Sequence, residues 1–433
     1  MSSGGRLARL ARAAASDITP LRESPPFRRL FFGQAVSAIG TQVTQVAVPL
    51  QVYAITHSSL DVGLIGLASF VPLVVFGLYG GAIADAVDRR NLLILTSTAT
   101  MLLSVVLLAQ AAAHLNQVWL LYVCVVVQSG FAAVGTPTRG AIVPFLVGRR
   151  RLPAANTLIY GSFQLAIILG PLFAGVAVSA GGFGTAYAID VATFSAAFYA
   201  AVRLPRMPPD ETARTASIAA VAEGLRFLSV RPVILMTFLV DINAMLFSMP
   251  RALFPALASG HFGGGAHTAG FLYAAPGVGA VLVTAVGGLI ARIHRQGVGI
   301  TISIAIWGIT ITLFGLSSSL WFALLMLTVA GAADTVSAVY RSTMLQVATP
   351  NSMQGRLQGV YSVVVTGGSR LGDVRAGAMA SVLSPQVSLV SGGIACLVGL
   401  AILVASVPAF LRYDARRVVP PEPAAEEALS QSD

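Results

Sequence analysis

Twelve apolar runs, each close to the thickness of a bilayer in length, divide this chain, and short polar joints separate them. A transmembrane helix needs roughly 20 apolar residues, because in lipid every backbone N–H and C=O must find its partner inside the spanning structure. The runs fall near 29–55, 62–83, 92–113, 118–139, 154–180, 184–202, 232–254, 269–290, 298–317, 320–342, 357–382 and 386–411. Composition agrees: 56% of residues are hydrophobic and only 10% are charged, against about 25% charged in soluble domains. Most of the surface must therefore face lipid. The fold class expected is an all-α integral membrane protein with twelve transmembrane helices.

The net charge is +10, and every one of the 27 basic residues is Arg. A nucleic-acid partner explains this poorly, because the arginines sit in short joints between apolar runs. Positive-inside topology explains it well. Arg89-Arg90, Arg149-Arg150-Arg151, the 203–231 loop, Arg292 with Arg295, and Arg356 follow the even-numbered runs; the joints after the odd-numbered runs are nearly free of Arg. Arg251, near the end of the seventh run, is the exception. The bias places both termini in the cytoplasm. Cys124 and Cys396 lie inside apolar runs, so neither a disulfide framework nor a metal site is expected.

The domain plan follows. Residues 1–27 form a cytoplasmic tail and 28–202 a first six-helix half. Residues 203–231 form a linker with an amphipathic stretch at 218–228 suited to the membrane surface. Residues 232–411 form a second six-helix half, and 412–433 a Pro- and Glu-rich disordered tail. The halves repeat: Trp119 and Trp321, Arg139 and Arg341, and Gly170 and Gly372 each stand 202 residues apart. Two parallel six-helix halves with a site at their interface make the expected pseudo-symmetric plan.

Residues 80–90, Gly-Gly-Ala-Ile-Ala-Asp-Ala-Val-Asp-Arg-Arg, form a charged turn between the second and third runs. Gly81 allows close approach, and Asp85 can accept from a helix N-terminus or from an arginine across the turn. The turn reads either as a positive-inside loop or as a gate latch made of Gly81, Asp85, Asp88, Arg89 and Arg90. The pattern Gly81, Asp85, Arg89, Arg90 resembles the loop 2–3 signature of the major facilitator superfamily, departing from it at Ala86 and Asp88. Residues 47–51, 56–58, 62–64, 251–258, 271–275 and 343–356 further resemble the enterobactin exporter branch. The resemblance implies export of a small molecule, most simply a siderophore, by proton antiport and alternating access. It also implies a protein that works as a monomer in a bacterial plasma membrane, the cell inner membrane; an enzymatic role is disfavoured because no Ser-centred elbow or metal cluster appears, and no cofactor is expected. Relatives in the same branch resemble macrolide and multidrug efflux pumps, and that is the alternative.

Acids inside a bilayer are costly, and each is a functional candidate. Asp241 lies about 15 Å into the seventh run, counted at about 1.5 Å per residue from Arg231, with Asn243 beside it and Met245 and Ser248 on its face. It is a proton carrier, a substrate contact, or one half of a structural hydrogen bond. Asp334 and Arg341 share a face of the tenth run. Arg341 and Arg139 either attract an anionic substrate or only snorkel to headgroups. Arg370, Asp373 and Arg375 form either a switching ion-pair network or a static pair that sets register, and Arg375 needs a partner, such as an acid on a neighbouring helix. Gln34 and Gln45 mark a polar stripe on the first run, and Gln128 one on the fourth; such stripes bind ligand or glue helices. Asp190, in an outer helix of the plan, reads as structural. Gly170-Pro171 opens a partial match to an exporter signature, physically a bend with close packing. There is no Gly-x-x-x-x-Gly-Lys-Ser/Thr loop, so ATP-driven pumping is disfavoured.

Overall fold

The computed structural model describes residues 17–207, 226, 228, 231–285, 295–349 and 354–413. Among them the long helices are α1 (Pro25–Thr56), α2 (Ser59–Ala86), α3 (Arg89–Ala112), α4 (Val118–Val147), α5 (Leu152–Val202), α6 (Pro232–Ser248), α7 (Gly265–Ala285), α8 (Gln296–Leu316), α9 (Leu320–Ala348), α10 (Gln354–Val382) and α11 (Pro385–Ser406). No strand occurs among the described residues. Nine helices there are long and apolar enough to cross a membrane. The two long helices outside that set are α1 and α10, the ones that carry Gln34, Gln45, Arg370, Asp373 and Arg375. Their polarity is itself a pointer to function.

Large apolar side chains project outward over much of the surface, Trp119 and Trp321 among them. Such a surface is stable only against lipid. The chain is therefore a multi-pass membrane protein.

Local chemistry sets the breaks. α5 has 51 residues, about 75 Å of helix, more than twice the roughly 30 Å hydrocarbon core. It is two helices joined at Gly182, whose φ of 71° belongs to the left-handed region that glycine enters without cost. This is the Gly181-Gly182 joint expected between the fifth and sixth runs. α1 begins at Pro25, earlier than the expected 29, because Ser24 caps it by accepting from Phe27 N at 3.3 Å and also donates to Leu146 O at 3.0 Å.

The seventh run differs most from expectation. Its helix stops at Ser248 rather than 254. Pro250 forces Met249 out of the helical region, to ψ 120°. A 3₁₀ turn (Arg251–Leu253), a short helix (Phe254–Ala256) and a π turn (Leu257–His261) follow. The amphipathic stretch at 218–228 lies outside the described residues except for Arg226 and Leu228, as do the loop at 286–294 and the tail from 414.

The chain forms two compact units. Unit 1 holds Met1–Ala216 and Phe254–Ala274; unit 2 holds Ser217–Leu253 and Ala275–Asp433. Within unit 1, α1 lies along α5, α2 along α4, and α3 along α5. A core of Phe27, Leu30, Leu93, Ile142, Val147, Ala201 and Met207 closes its Arg-rich end. Within unit 2, α8 packs on α9 and α11, and α6 on α10 and α11. Glycines related by the 202-residue repeat do the same work. A side chain at Gly170 would meet Ile39 O at 3.2 Å and collide with the Gln42 side chain of α1. One at Gly372 would collide with Met245 O of α6 and meet Met249 Cβ at 2.9 Å. Gly175, five residues beyond Gly170, packs in the same way on Ala266 and Gly270 of α7. The Gly170-Pro171 segment is thus a packing device toward two helices.

Candidate functional site

In unit 2, α6 and α9 bring together the charges that the sequence singled out. Asp241 and Arg341 form a direct ion pair with both side chains almost wholly enclosed, 1% and 2% exposed. Asp334 stands 3.8 Å from the other end of the same guanidinium and is 39% exposed. The i, i+7 spacing on α9 does what it promised: Asp334 and Arg341 lie on one face, and Asp241 reaches them from α6. The Tyr361 hydroxyl of α10 also faces Arg341, and its ring packs edge-on against Phe238 at 5.9 Å. Burying two ions costs several kcal/mol each, and only close pairing with added hydrogen bonds repays it.

Arg251 joins this network, which the sequence reading passed over as a topological exception. Its charge acts on both Asp334 and Asp373. Asp373 accepts from Ala252 N at 3.2 Å, holding the first turn after the Pro250 break. Arg370 acts on Asp373 as the i, i+3 spacing implied. Three acids (Asp241, Asp334, Asp373) and three arginines (Arg251, Arg341, Arg370) thus form a balanced set.

Other expectations here need correction. Arg375 faces no acid among the described residues; it approaches Met379 Sδ at 3.8 Å and lies against Gly392 of α11. The glycine leaves room for the guanidinium, so packing, not charge, selects its position. Asn243 turns away from Asp241 and donates to Cys396 O at 2.8 Å. Ser248 accepts from Trp307 Nε1 at 2.7 Å. Both are bolts between helices.

Unit 1 is arranged differently. Arg139 of α4 is half-buried, and its recorded contact is a donation to Thr136 Oγ1 at 3.3 Å. No acid pairs with it among the described residues. Gln128, on the same helix, has its amide nitrogen buried with no hydrogen-bond partner. Gln34 is half-buried and Gln45 exposed. These are groups with capacity to spare.

The loop between α2 and α3 is a clamp. Asp88 Oδ1 accepts from Arg90 N at 2.9 Å and Asn91 N at 3.2 Å, capping α3. Its Oδ2 accepts from Met207 N at 3.2 Å, and Arg89 N donates to Met207 O at 3.2 Å. Arg90 Nη2 donates to Val202 O at 2.8 Å. The expected turn at 80–90 narrows to Val87-Asp88, because α2 continues to Ala86. Gly81 and Asp85 sit in its last turns, and their surroundings lie outside the described residues. The anchoring acid is Asp88, a position where the chain departs from the superfamily pattern.

The chain is similar to known transporters along almost its whole length. Enterobactin exporter EntS of Escherichia coli O1:K1 / APEC is 27% identical over 416 residues, covering 95% of this chain and 98% of that protein. Enterobactin exporter EntS of Shigella boydii serotype 18 is 28% identical with the same coverage. Crystal structures of the POT family transporter PepTSo and of the nucleoside transporter NupG superpose with TM-scores of 0.71 and 0.67, at 12% and 13% identity, each covering 90% of this chain and 99% and 98% of theirs. The structural likeness is one of fold. A family model described as transmembrane secretion effector matches residues 15–432. The chain belongs to the transmembrane secretion effector family.

Proposed function

We propose that this chain exports a small molecule of the siderophore class across the bacterial plasma membrane, by proton antiport and alternating access. The observation that carries the reading is likeness to proteins named enterobactin exporter over 98% of their length, joined to charges that a purely structural membrane protein has no use for. In this reading the chain has twelve spans in two six-helix halves, 28–202 and 232–411, with both termini cytoplasmic, and works as a monomer.

The charges divide the labour. Arg139, with Gln128 and Gln34 near it in sequence or on the neighbouring α1, supplies cation and hydrogen-bond donors to an anionic or polyhydroxylated ligand. Arg341 is held in reserve between Asp241 and Asp334. Loss of either negative charge leaves the guanidinium with unmet capacity, so protonation and ligand binding are linked through it. The Asp88 clamp, Gly81, Asp85 and the Arg370–Asp373 pair hold one conformation.

The test compares a deletion strain with its complemented parent under iron limitation. Metal-free siderophore is quantified inside and outside the cells by mass spectrometry. Accumulation inside with loss outside is the expected result. An unchanged distribution overturns the siderophore reading and makes multidrug or macrolide-type efflux the working function, a reading that the mutually neutralised charges of unit 2 also suit.

A further inference from the structure

Unit 1 contains a buried acid that the arrangement above does not use. Asp190, in the second segment of α5, is 0% exposed. Its Oδ2 accepts from Ser104 Oγ of α3 at 2.7 Å. Its Oδ1 is buried, and Thr44 Oγ1 of α1, buried as well, faces the same carboxyl. Thr44 stands one helical turn from Gly40. A side chain at Gly40 would lie 2.7 Å from Asp190 Oδ1 and collide with Thr193 Oγ1. Only glycine lets α1 close over this carboxyl and keep water out.

Among the described residues, the groups that meet Asp190 are hydroxyls and not cations: Thr44 of α1, beside Gly40, and Ser104 of α3. On α5 itself, Tyr187 is the titratable neighbour, and its hydroxyl is committed to Gln51 Oε1 at 2.7 Å; Cys124 lies beyond it. No Arg or His acts on Asp190 among the described residues. An enclosed carboxylate without a counter-charge costs several kcal/mol, whereas a neutral carboxylic acid costs only its unmade hydrogen bonds. The neutral form need not lose its contacts, because the Thr44 hydroxyl that faces the carboxyl can accept from a carboxylic acid proton as well as donate to a carboxylate.

We propose that Asp190 is a proton-binding site of the transporter, occupied in the conformation described here and sealed by Gly40, Thr44 and Ser104. The contrast with Asp241 is direct. Asp241 already has its positive charge in Arg341, while Asp190 can obtain one only by taking a proton. That this proton is the one exchanged for substrate rests on the antiport reading above; the occupancy of the site does not.

The experiment therefore needs no substrate. Infrared difference spectra of the full-length protein in proteoliposomes are recorded between mildly acidic and mildly alkaline buffer, with choline or with sodium as the supporting cation. The wild type is expected to carry a protonated-carboxyl C=O band in acidic buffer that is absent from Asp190→Asn and retained in Asp241→Asn. Ser104→Ala, which removes the hydroxyl donated to Oδ2, is expected to move that band to higher frequency without abolishing it. This second variant decides the matter if Asp190→Asn does not fold. The wild-type band persisting in Asp190→Asn at the same frequency and intensity, or failing to move in Ser104→Ala, overturns the proposal. So does a carboxylate signal in acidic buffer that responds to sodium, which would make the cluster a sodium site. Failure of the siderophore assay leaves these spectra unaffected.

Discussion

Arg139 and Arg341 occupy equivalent places in the 202-residue repeat, yet their surroundings are opposite. Arg341 is clamped between Asp241 and Asp334, inside a set of three acids and three arginines. Arg139 donates to Thr136 and pairs with no acid among the described residues, and Asp190, a fully buried acid of its unit, is wrapped in hydroxyls. The residues at the same offset from Asp334 and Asp241 are Ala132 and Ile39. One copy thus holds a self-neutralised network, and the other holds its cation and its acid apart. A network balanced within itself is costly to open and suits a switch. An isolated cation suits an anionic ligand, and an isolated acid suits a proton.

The largest expected effect comes from breaking the network. Arg341→Met leaves Asp241 enclosed without a counter-charge, and removing one partner of a buried pair costs about 3–5 kcal/mol. Thermal unfolding in detergent should fall sharply for this variant. It should recover much of the loss in Arg341→Met/Asp241→Leu, where neither charge remains. Equal loss in the single and the double variant would mean that the pair is held by its surroundings rather than by charge. Arg139→Met, the mirror experiment, should leave the midpoint nearly unchanged.

Next is the packing that the two copies share. Gly170→Ala and Gly372→Ala each force a methyl group into a neighbouring helix, against Gln42 and against Met245. Overpacking costs about 1–3 kcal/mol, and the two variants should be destabilised alike. A large difference between them in unfolding midpoint would break the structural repeat at this level.

The apolar runs made most of the helices legible, because burial in lipid tolerates few departures in composition. The pairing of Asp334 with Arg341 was legible from helical spacing alone. What escaped has identifiable causes. The break in the seventh run was hidden because its residues stay apolar on both sides, although the Met249-Pro250 dipeptide was the available signal. Arg251 was set aside as a topological exception because its partners, Asp334 and Asp373, lie on other helices. Asp88 was legible as part of a latch, but its partner was not, because Met207 is 119 residues away. Arg375 was expected to find an acid, and found a thioether and the space left by Gly392. The enclosure of Asp190 depends on Gly40, which in sequence is one glycine among 43.

A smaller effect belongs to the clamp, which unit 1 builds from one acid. Asp88→Ala removes the cap of α3 and the bond to Met207 N; loss of such a cap costs about 0.5–2 kcal/mol. Asp88→Asn keeps an acceptor and should recover most of the loss. If Asp88→Ala also raises the protease sensitivity of the 203–231 segment, the clamp holds that segment; unchanged sensitivity would restrict Asp88 to capping.

The smallest expected effect on stability, and the one that sharpens the comparison most, is Arg139→Gln. Surface and half-buried changes away from a network usually stay within about 0.5 kcal/mol, so folding and insertion should be unaltered. Transport should not be. A hydrogen bond to a charged group contributes about 1.5–3 kcal/mol, and each 1.4 kcal/mol is about tenfold in affinity. The external siderophore concentration needed to compete with export should therefore shift by at least about tenfold. Arg139→Lys keeps the charge but not the planar fork, and should recover part of the loss if the ligand is anionic and little of it if the fork is what the ligand reads. Export unchanged in Arg139→Gln would return this arginine to the headgroups and leave Arg341 as the cation that the ligand must reach, so that substrate could bind only by opening the balanced network of unit 2.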